Sequence, residues 1–212
     1  MSEALPVIHL ARHGETAWSL SGQHTGRTDL PLTERGERNA RALGERLRGL
    51  AFAKVFTSPL NRAVRTCELA GFGAVAEIDP DLVEWDYGQY EGRRTAEIHA
   101  ERPDWQLFRD GCPGGESPDQ IGARADRVVG RVRAVKGNVL VFSSGHFLRV
   151  LAARWLGLDA AGGRLKLFAR SRNGRSNDVV EEQMPLIQGV VGPGELDWTA
   201  AVLLQKILRG VR

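Results

Sequence analysis

Cysteine is scarce. Cys67 and Cys112 alone occur in 212 residues, and they lie far apart. That spacing excludes a metal knuckle and a CxxC redox pair, and it leaves no disulfide framework for the fold to depend on. A reducing, cytoplasmic setting is the expectation that follows. Long apolar runs are missing as well; none reaches the roughly 20 residues that a membrane-spanning helix needs. The opening MSEALPVIHL has no basic region followed by an apolar stretch and a small-residue cleavage site, so export is not expected. HExxH, GxxxxGK[ST] and GxGxxG are all absent, so the sequence asks for no metal, no nucleotide cradle and no other cofactor. Excess charge is small too, at +3 with a pI near 9.2. The arginines are scattered among acids, without a basic stripe or a lysine-rich tail. Nucleic acid and membrane drop out as partners, and a local anionic ligand stays open.

What is present suits a soluble globular chain: 42 % hydrophobic residues are enough for a full core and 26 % are charged. VIHLA (7–11) reads as a buried strand. Thr33 is placed to cap a helix running to about Leu50, with Ala40, Leu43, Leu47 and Leu50 inward. AKVFTS (53–58) is a second strand. Ser58 then caps a helix with Pro59 in its first turn, carrying Ala63, Val64, Cys67 and Ala70 on one side. Short extended pieces follow at 74–78 and 81–85, then a turn-rich DYGQYEG and short helices over 93–110. Ser117 caps a long helix to about Val135. NVLVFS (138–143) is the most strand-like run, and GHFLRVLAARWLGL after it is helical. The alternation predicts an α/β three-layer sandwich: a central, mostly parallel mixed sheet with helices on both faces. One domain is expected over 1–212, with 86–116 as a small cover and a divergent tail after 162. In that tail RLKLFA is a strand candidate, 170–183 a polar loop and 199–211 a terminal helix.

Open α/β sheets bind ligands beyond the carboxyl ends of their strands. That rule gathers residues distant in sequence at one rim: Arg12 and His13 after the first strand, Ser58 and Arg62 after the second, Glu84 and Asp86 after 81–85, and Ser144, Gly145 and His146 after the strand at 138–143. Arginine is a permanently charged fork suited to phosphate oxygens. A neutral imidazole can attack phosphorus. A carboxylic acid kept protonated by an apolar neighbour such as Trp85 can protonate a departing alkoxide. Each residue alone also has an ordinary reading, as a strand-end histidine, a surface arginine or a solvated glutamate.

The motifs RHGET (12–16), HTGRTDLPLTERG (24–36), TSPLNRAVRT (57–66), EWDYGQYEG (84–92) and PGGES (113–117), taken in order, resemble those of the histidine phosphatase superfamily, which includes the cofactor-dependent phosphoglycerate mutases. The resemblance covers roughly residues 5–160. It implies metal-independent hydrolysis of a small phosphorylated metabolite through a phosphohistidine. By position His13 resembles the nucleophile, Arg12 and Arg62 the phosphate clamp, and Glu84 the proton donor. Ser19, Thr25 and Gly26 resemble members of the substrate-phosphate loop, with Ser19 standing where the mutases usually have asparagine.

One departure concerns the chemistry. In VLVFSSGHFLR, Ser144 occupies the place of the family's second catalytic histidine, and His146 does not take it over. A serine there donates one hydrogen bond and no positive charge. The chain then reads as a natural enzyme with weakened chemistry, a form altered to slow turnover, or a non-enzymatic phosphate-holding relative. The segment over 93–112 is shorter than the mutases' cover, which favours phosphatase over mutase, within the acid- and sugar-phosphatase branch. Arg93, Arg94, Arg102 and Arg109 are placed either to meet a second anionic substituent of a phosphosugar or simply to face solvent. A homodimer is left open.

Overall fold

The computed structural model describes residues 6–164 and the backbone of 189–191. The strand, loop and helix expected at 164–169, 170–183 and 199–211 lie, but for Arg164, outside those residues. The chain forms β1 (Ile8–Arg12), α1 (Ala17–Ser21), α2 (Glu34–Leu47), β2 (Lys54–Thr57), α3 (Asn61–Leu69) and β3 (Ala76–Ile78). It continues through α4 (Thr95–Glu101), α5 (Leu107–Asp110), α6 (Pro118–Arg133), β4 (Val139–Ser143), α7 (Gly145–Trp155) and β5 (Gly189–Val191), with short 3-10 turns at 80–82, 88–90 and 160–164. The sheet order is β3-β2-β4-β1-β5. All neighbours are parallel except β5, which runs antiparallel to β1. This is the expected mixed, mostly parallel sheet between helical layers.

Period-two alternation along the strands sorts the core into two faces. Ile8, Leu10, Val139 and Val141 pack with α6, α7 and the segment around Leu82–Cys112. Ala11, Leu140 and Phe142 point the other way, onto Leu43 and Leu47 of α2 and Cys67 of α3. No helix among the described residues is long and apolar enough to cross a membrane.

Three local expectations change. Leu50 lies beyond the end of α2 and is exposed rather than inward. Ser58 does not cap α3: the helix starts at Asn61, Leu60 makes no capping bond, and the Asp29 carboxylate accepts from the Asn61 amide at 2.9 and 3.1 Å. A residue 32 positions away does the work that local pattern assigned to Ser58. Residues 81–85 are not a strand either. A 3-10 turn capped by Asp79 replaces it, and Arg124 of α6 takes the carbonyls of Asp81, Val83 and Glu84 that a strand partner would have taken.

Register brings the rim together. Arg12 lies opposite Ser143 and Thr57 opposite Phe142, so His13, Ser58 and Ser144 leave the sheet at nearly one level. The first turn of α2 presses against the loop after β1. A Cβ on Gly36 would stand 2.2 Å from the Glu15 carbonyl oxygen, and one on Gly14 2.5 Å from that of Gly36. Gly36→Ala in an unhindered helix would stabilise; here overpacking against backbone outweighs helix propensity, and a loss of roughly 1–3 kcal/mol is expected. Urea unfolding of the variant checks this, and a raised midpoint would overturn the close-packing account.

Candidate active site

β1 delivers His13 into a buried position. Its amide donates to the Ser143 carbonyl at 2.9 Å. The Gly14 amide that follows donates to Thr66 Oγ1 at 2.9 Å, and Thr66 donates to the Arg62 carbonyl at 2.6 Å, tying the loop to α3. The His13 ring has Nδ1 2.7 Å from the Gly14 carbonyl oxygen. A carbonyl only accepts, so Nδ1 carries the proton and Nε2 keeps its lone pair. Burial, then the charges of Arg12 and Arg62, hold this imidazole well below the usual histidine range. At neutral pH it is an uncharged ring with a free nitrogen.

The neighbouring arginines differ in how many of their five N–H donors the protein uses. Arg62 is fully buried; it donates from Nη1 to Thr28 O at 2.8 Å and from Nη2 to Thr25 O and Gly26 O at 3.1 and 2.7 Å, while Nε stays buried without a partner. The Arg12 guanidinium makes no hydrogen bond among the described residues, and its Nε is likewise buried and unpartnered. Arg124 contrasts with both. Its three carbonyl contacts and the Glu116 carboxylate, at 2.9 and 2.7 Å, use every donor. It is a structural clamp, whereas Arg12 and Arg62 retain donors beside His13.

The loop at 24–28 is held from within. Glu91 accepts from the amides of Gly26 at 2.9 Å and Thr28 at 3.1 Å. Thr25 Oγ1 donates to the Gln23 carbonyl. Ser19 closes the capping box of α1, accepting from the Thr16 amide and donating to the Thr16 carbonyl. The polar groups of Ser19, Thr25 and Gly26 are thus engaged locally, and Thr25 and Gly26 offer their carbonyls to Arg62.

Glu84 reaches the start of α7. Its Oε1 accepts from the amides of Trp85 and Phe147 at 2.8 and 2.7 Å, and Oε2 from the amide of His146 at 2.9 Å. It caps the helix from outside. Ser144 stands at the N-cap position with an extended backbone, yet its side chain makes no capping bond, and its Oγ is fully buried without a partner. One side of the space beyond is aromatic. The Tyr87 hydroxyl lies 2.5 Å from His146 Nδ1, His24 packs 4.7 Å from the Tyr87 ring, and Phe108 packs 5.5 Å from His146. Burial lowers His24 to about 4 and holds His146 well below the ordinary value. Among the described residues no group of three His, Cys, Asp or Glu side chains could hold a metal ion.

The structure therefore brings Arg12, His13, Arg62, Glu84 and Ser144 to one rim. Sequence reasoning missed Glu91, Thr66 and Tyr87. All three sit inside quoted motifs, but their roles depend on contacts that no local periodicity reveals.

The family described as the histidine phosphatase superfamily (branch 1) matches residues 8–173. An acid phosphatase of Mycobacterium tuberculosis is 43 % identical over 73 % of this chain and 77 % of its own length. A sedoheptulose 1,7-bisphosphatase of Saccharomyces cerevisiae is 39 % identical over 74 % and 70 %. A probable phosphoglycerate mutase, GpmB, of Erwinia tasmaniensis is 34 % identical over 84 % and 86 %.

The buried rings also set a dependence of stability on pH. His13, His24 and His146 have folded values below the 6.5 of an ordinary imidazole. Between those values and 6.5 the unfolded chain binds more protons, so stability is complete above 6.5 and is withdrawn as pH falls toward 4. The urea midpoint should drop from pH 7.5 to pH 5, with part of the slope removed in His24→Phe. A midpoint that holds or rises would contradict the buried, neutral rings.

Proposed function

The chain belongs to the histidine phosphatase superfamily (branch 1), and from that premise we propose that it hydrolyses phosphomonoesters of small metabolites through a phosphohistidine on His13. Membership supports phosphoryl transfer of phosphatase or phosphomutase type. The observation that supports the finer reading best is the neutral His13 with Nε2 free, next to two arginines that keep unused donors.

In the first step Nε2 of His13 attacks phosphorus, the P–N bond forms and the ester P–O bond breaks. Arg12 and Arg62 hold the phosphoryl oxygens as charge spreads over them. Glu84 relays to the leaving alkoxide, through Oε2, the oxygen with the single amide contact, the proton that the substrate monoanion brings in. Water then attacks the phosphohistidine, Glu84 takes its proton, the P–N bond breaks and inorganic phosphate leaves. No metal enters either step. Ser144 offers one hydroxyl donor to a phosphoryl oxygen, where a protonated histidine would offer a charge. Losing such a donor slows the reaction on the order of 10²–10³, which leaves a slow enzyme.

The test is release of phosphate from p-nitrophenyl phosphate, with labelling of the protein in acid-labile form. His13→Ala should lose both signals, and Ser144→His should raise turnover by about tenfold or more. An unchanged rate in Ser144→His would remove that role from the position. Because burial keeps His13 uncharged below 6.5, kcat/KM should show no loss of nucleophile on passing down through 6.5, with its acid limb lower. Isomerisation of phosphoglycerate in place of phosphate release would favour the mutase reading, given the GpmB relative. Protection by vanadate without turnover would favour an impaired, phosphate-holding protein.

A further inference from the structure

The Glu91 side chain is half-buried, and both of its oxygens accept from backbone amides. Oε1 takes Gly26 at 2.9 Å and Thr28 at 3.1 Å, and Oε2 takes Gly26 again at 3.0 Å. The Gly26 amide lies in the same peptide plane as the Thr25 carbonyl, and that carbonyl accepts from Arg62 Nη2 at 3.1 Å. One peptide group is therefore clamped at both ends, with a carboxylate on its N–H and a guanidinium on its C=O. Its dipole is aligned with both charges, so each contact polarises and strengthens the other. The Gly26 and Thr28 carbonyls take further donors of Arg62 at 2.7 and 2.8 Å, which fixes the plane of the fork and leaves Nε–H without a partner.

Space is as restrictive as bonding here. A Cβ at Gly26 would stand 2.6 Å from Glu91 Oε2 and 2.5 Å from the Trp85 carbonyl oxygen. Glycine lets the loop come this close to the segment that carries both Glu84 and Glu91. Burial disfavours the Arg62 cation, and the Glu91 charge is one of those that oppose this. A direct ion pair would have consumed donors of Arg62. With a peptide in between, the charge is supported and Nε–H stays unused.

We propose that Glu91 is a positioning residue for phosphate binding: it acts through the Thr25–Gly26 peptide to hold the Arg62 guanidinium with its Nε–H toward a phosphoryl oxygen, and does not itself touch the ligand. This rests on the functional reading above for the assignment of Arg62 to the phosphate.

The experiment is binding of inorganic phosphate by calorimetry, which needs no turnover. Glu91→Ala should weaken binding roughly tenfold, the loss expected when one charge-assisted hydrogen bond is misplaced. Glu91→Gln keeps one oxygen for both amides but turns an NH2 toward the Gly26 amide, so its affinity should fall between the two. Arg62→Lys keeps the charge and gives up the planar fork. In that background Glu91→Ala should cost little more, because the two residues act as one unit. The Arg62 Nε–H resonance, identified by its loss in Arg62→Lys, should exchange with solvent faster in Glu91→Ala than in the wild type. If Glu91→Ala does not fold, Glu91→Gln carries the same cycle. A lowered urea midpoint with phosphate affinity and Nε–H exchange unchanged would reduce Glu91 to a structural residue and overturn the proposal. So would a full tenfold loss that persists in Arg62→Lys, or a wild-type chain that binds no phosphate. If phosphate binds with the expected dependence on Glu91 while p-nitrophenyl phosphate is not cleaved, hydrolysis fails and the positioning role stands.

Discussion

Buried guanidinium groups clamping loop carbonyls hold this rim in shape. The segments that carry the site, 24–28 and 81–84, are neither strand nor α-helix, so their carbonyls have no ladder to join. Arg62 from α3 takes three carbonyls of the first segment. Arg124 from α6 takes three of the second. In each case a rigid helix fixes an irregular loop through one planar fork, which a lysine could not reproduce. Acidic partners complete the arrangement differently: Glu116 neutralises Arg124 directly, whereas Glu91 binds the amides of the loop whose carbonyls face Arg62. Arg62 therefore has its geometry set without having its charge cancelled by contact.

The same division of labour explains the start of α7. A serine at an N-cap ordinarily spends its oxygen on the first-turn amides. Here Glu84 has taken the His146 and Phe147 amides, so the Ser144 hydroxyl is left over. A negative group at a helix N-terminus is favoured by the dipole as well as by the hydrogen bonds. The carboxylate is thus anchored, and the serine displaced from structural duty, by the same pair of hydrogen bonds. Ser144 is polar, fully buried and unused, which is costly in a folded core unless something else meets it.

The regular elements were legible because each leaves a local trace. Val139–Ser143 is an unbroken apolar run, α2 repeats Ala40, Leu43 and Leu47 at helical spacing, and Thr33 and Ser117 cap where their hydroxyls predict. The rim itself followed from strand order, since His13, Arg62 and Ser144 come shortly after strands whose carboxyl ends a parallel sheet gathers at one edge. Asp29 capping α3, Glu91 holding Gly26 and Arg124 holding the 81–84 carbonyls were not legible. Each joins residues about 30 or more positions apart, and no periodicity records such a partner. The 81–85 stretch looked extended because Val83 and Trp85 are β-prone; a long-range arginine, not a neighbouring strand, satisfies its carbonyls.

Charge balance links these observations to ligand binding. Arg12 and Arg62 stand beside an imidazole that burial keeps neutral, and burial lowers both guanidiniums from their ordinary values. The folded chain therefore holds two partly desolvated cations whose nearest compensation, Glu84, is occupied with backbone amides. Removing water from a cation is unfavourable unless hydrogen bonds or an opposite charge replace it. A phosphate dianion placed between them, as proposed, would supply both and would occupy donors the protein leaves unused. Filling the core with a carboxylate at this point would have stabilised the empty protein and abolished the site. Under the proposed reading, the unused donors of Arg12, Arg62 and Ser144 are a stability this fold forgoes and an anionic ligand would supply.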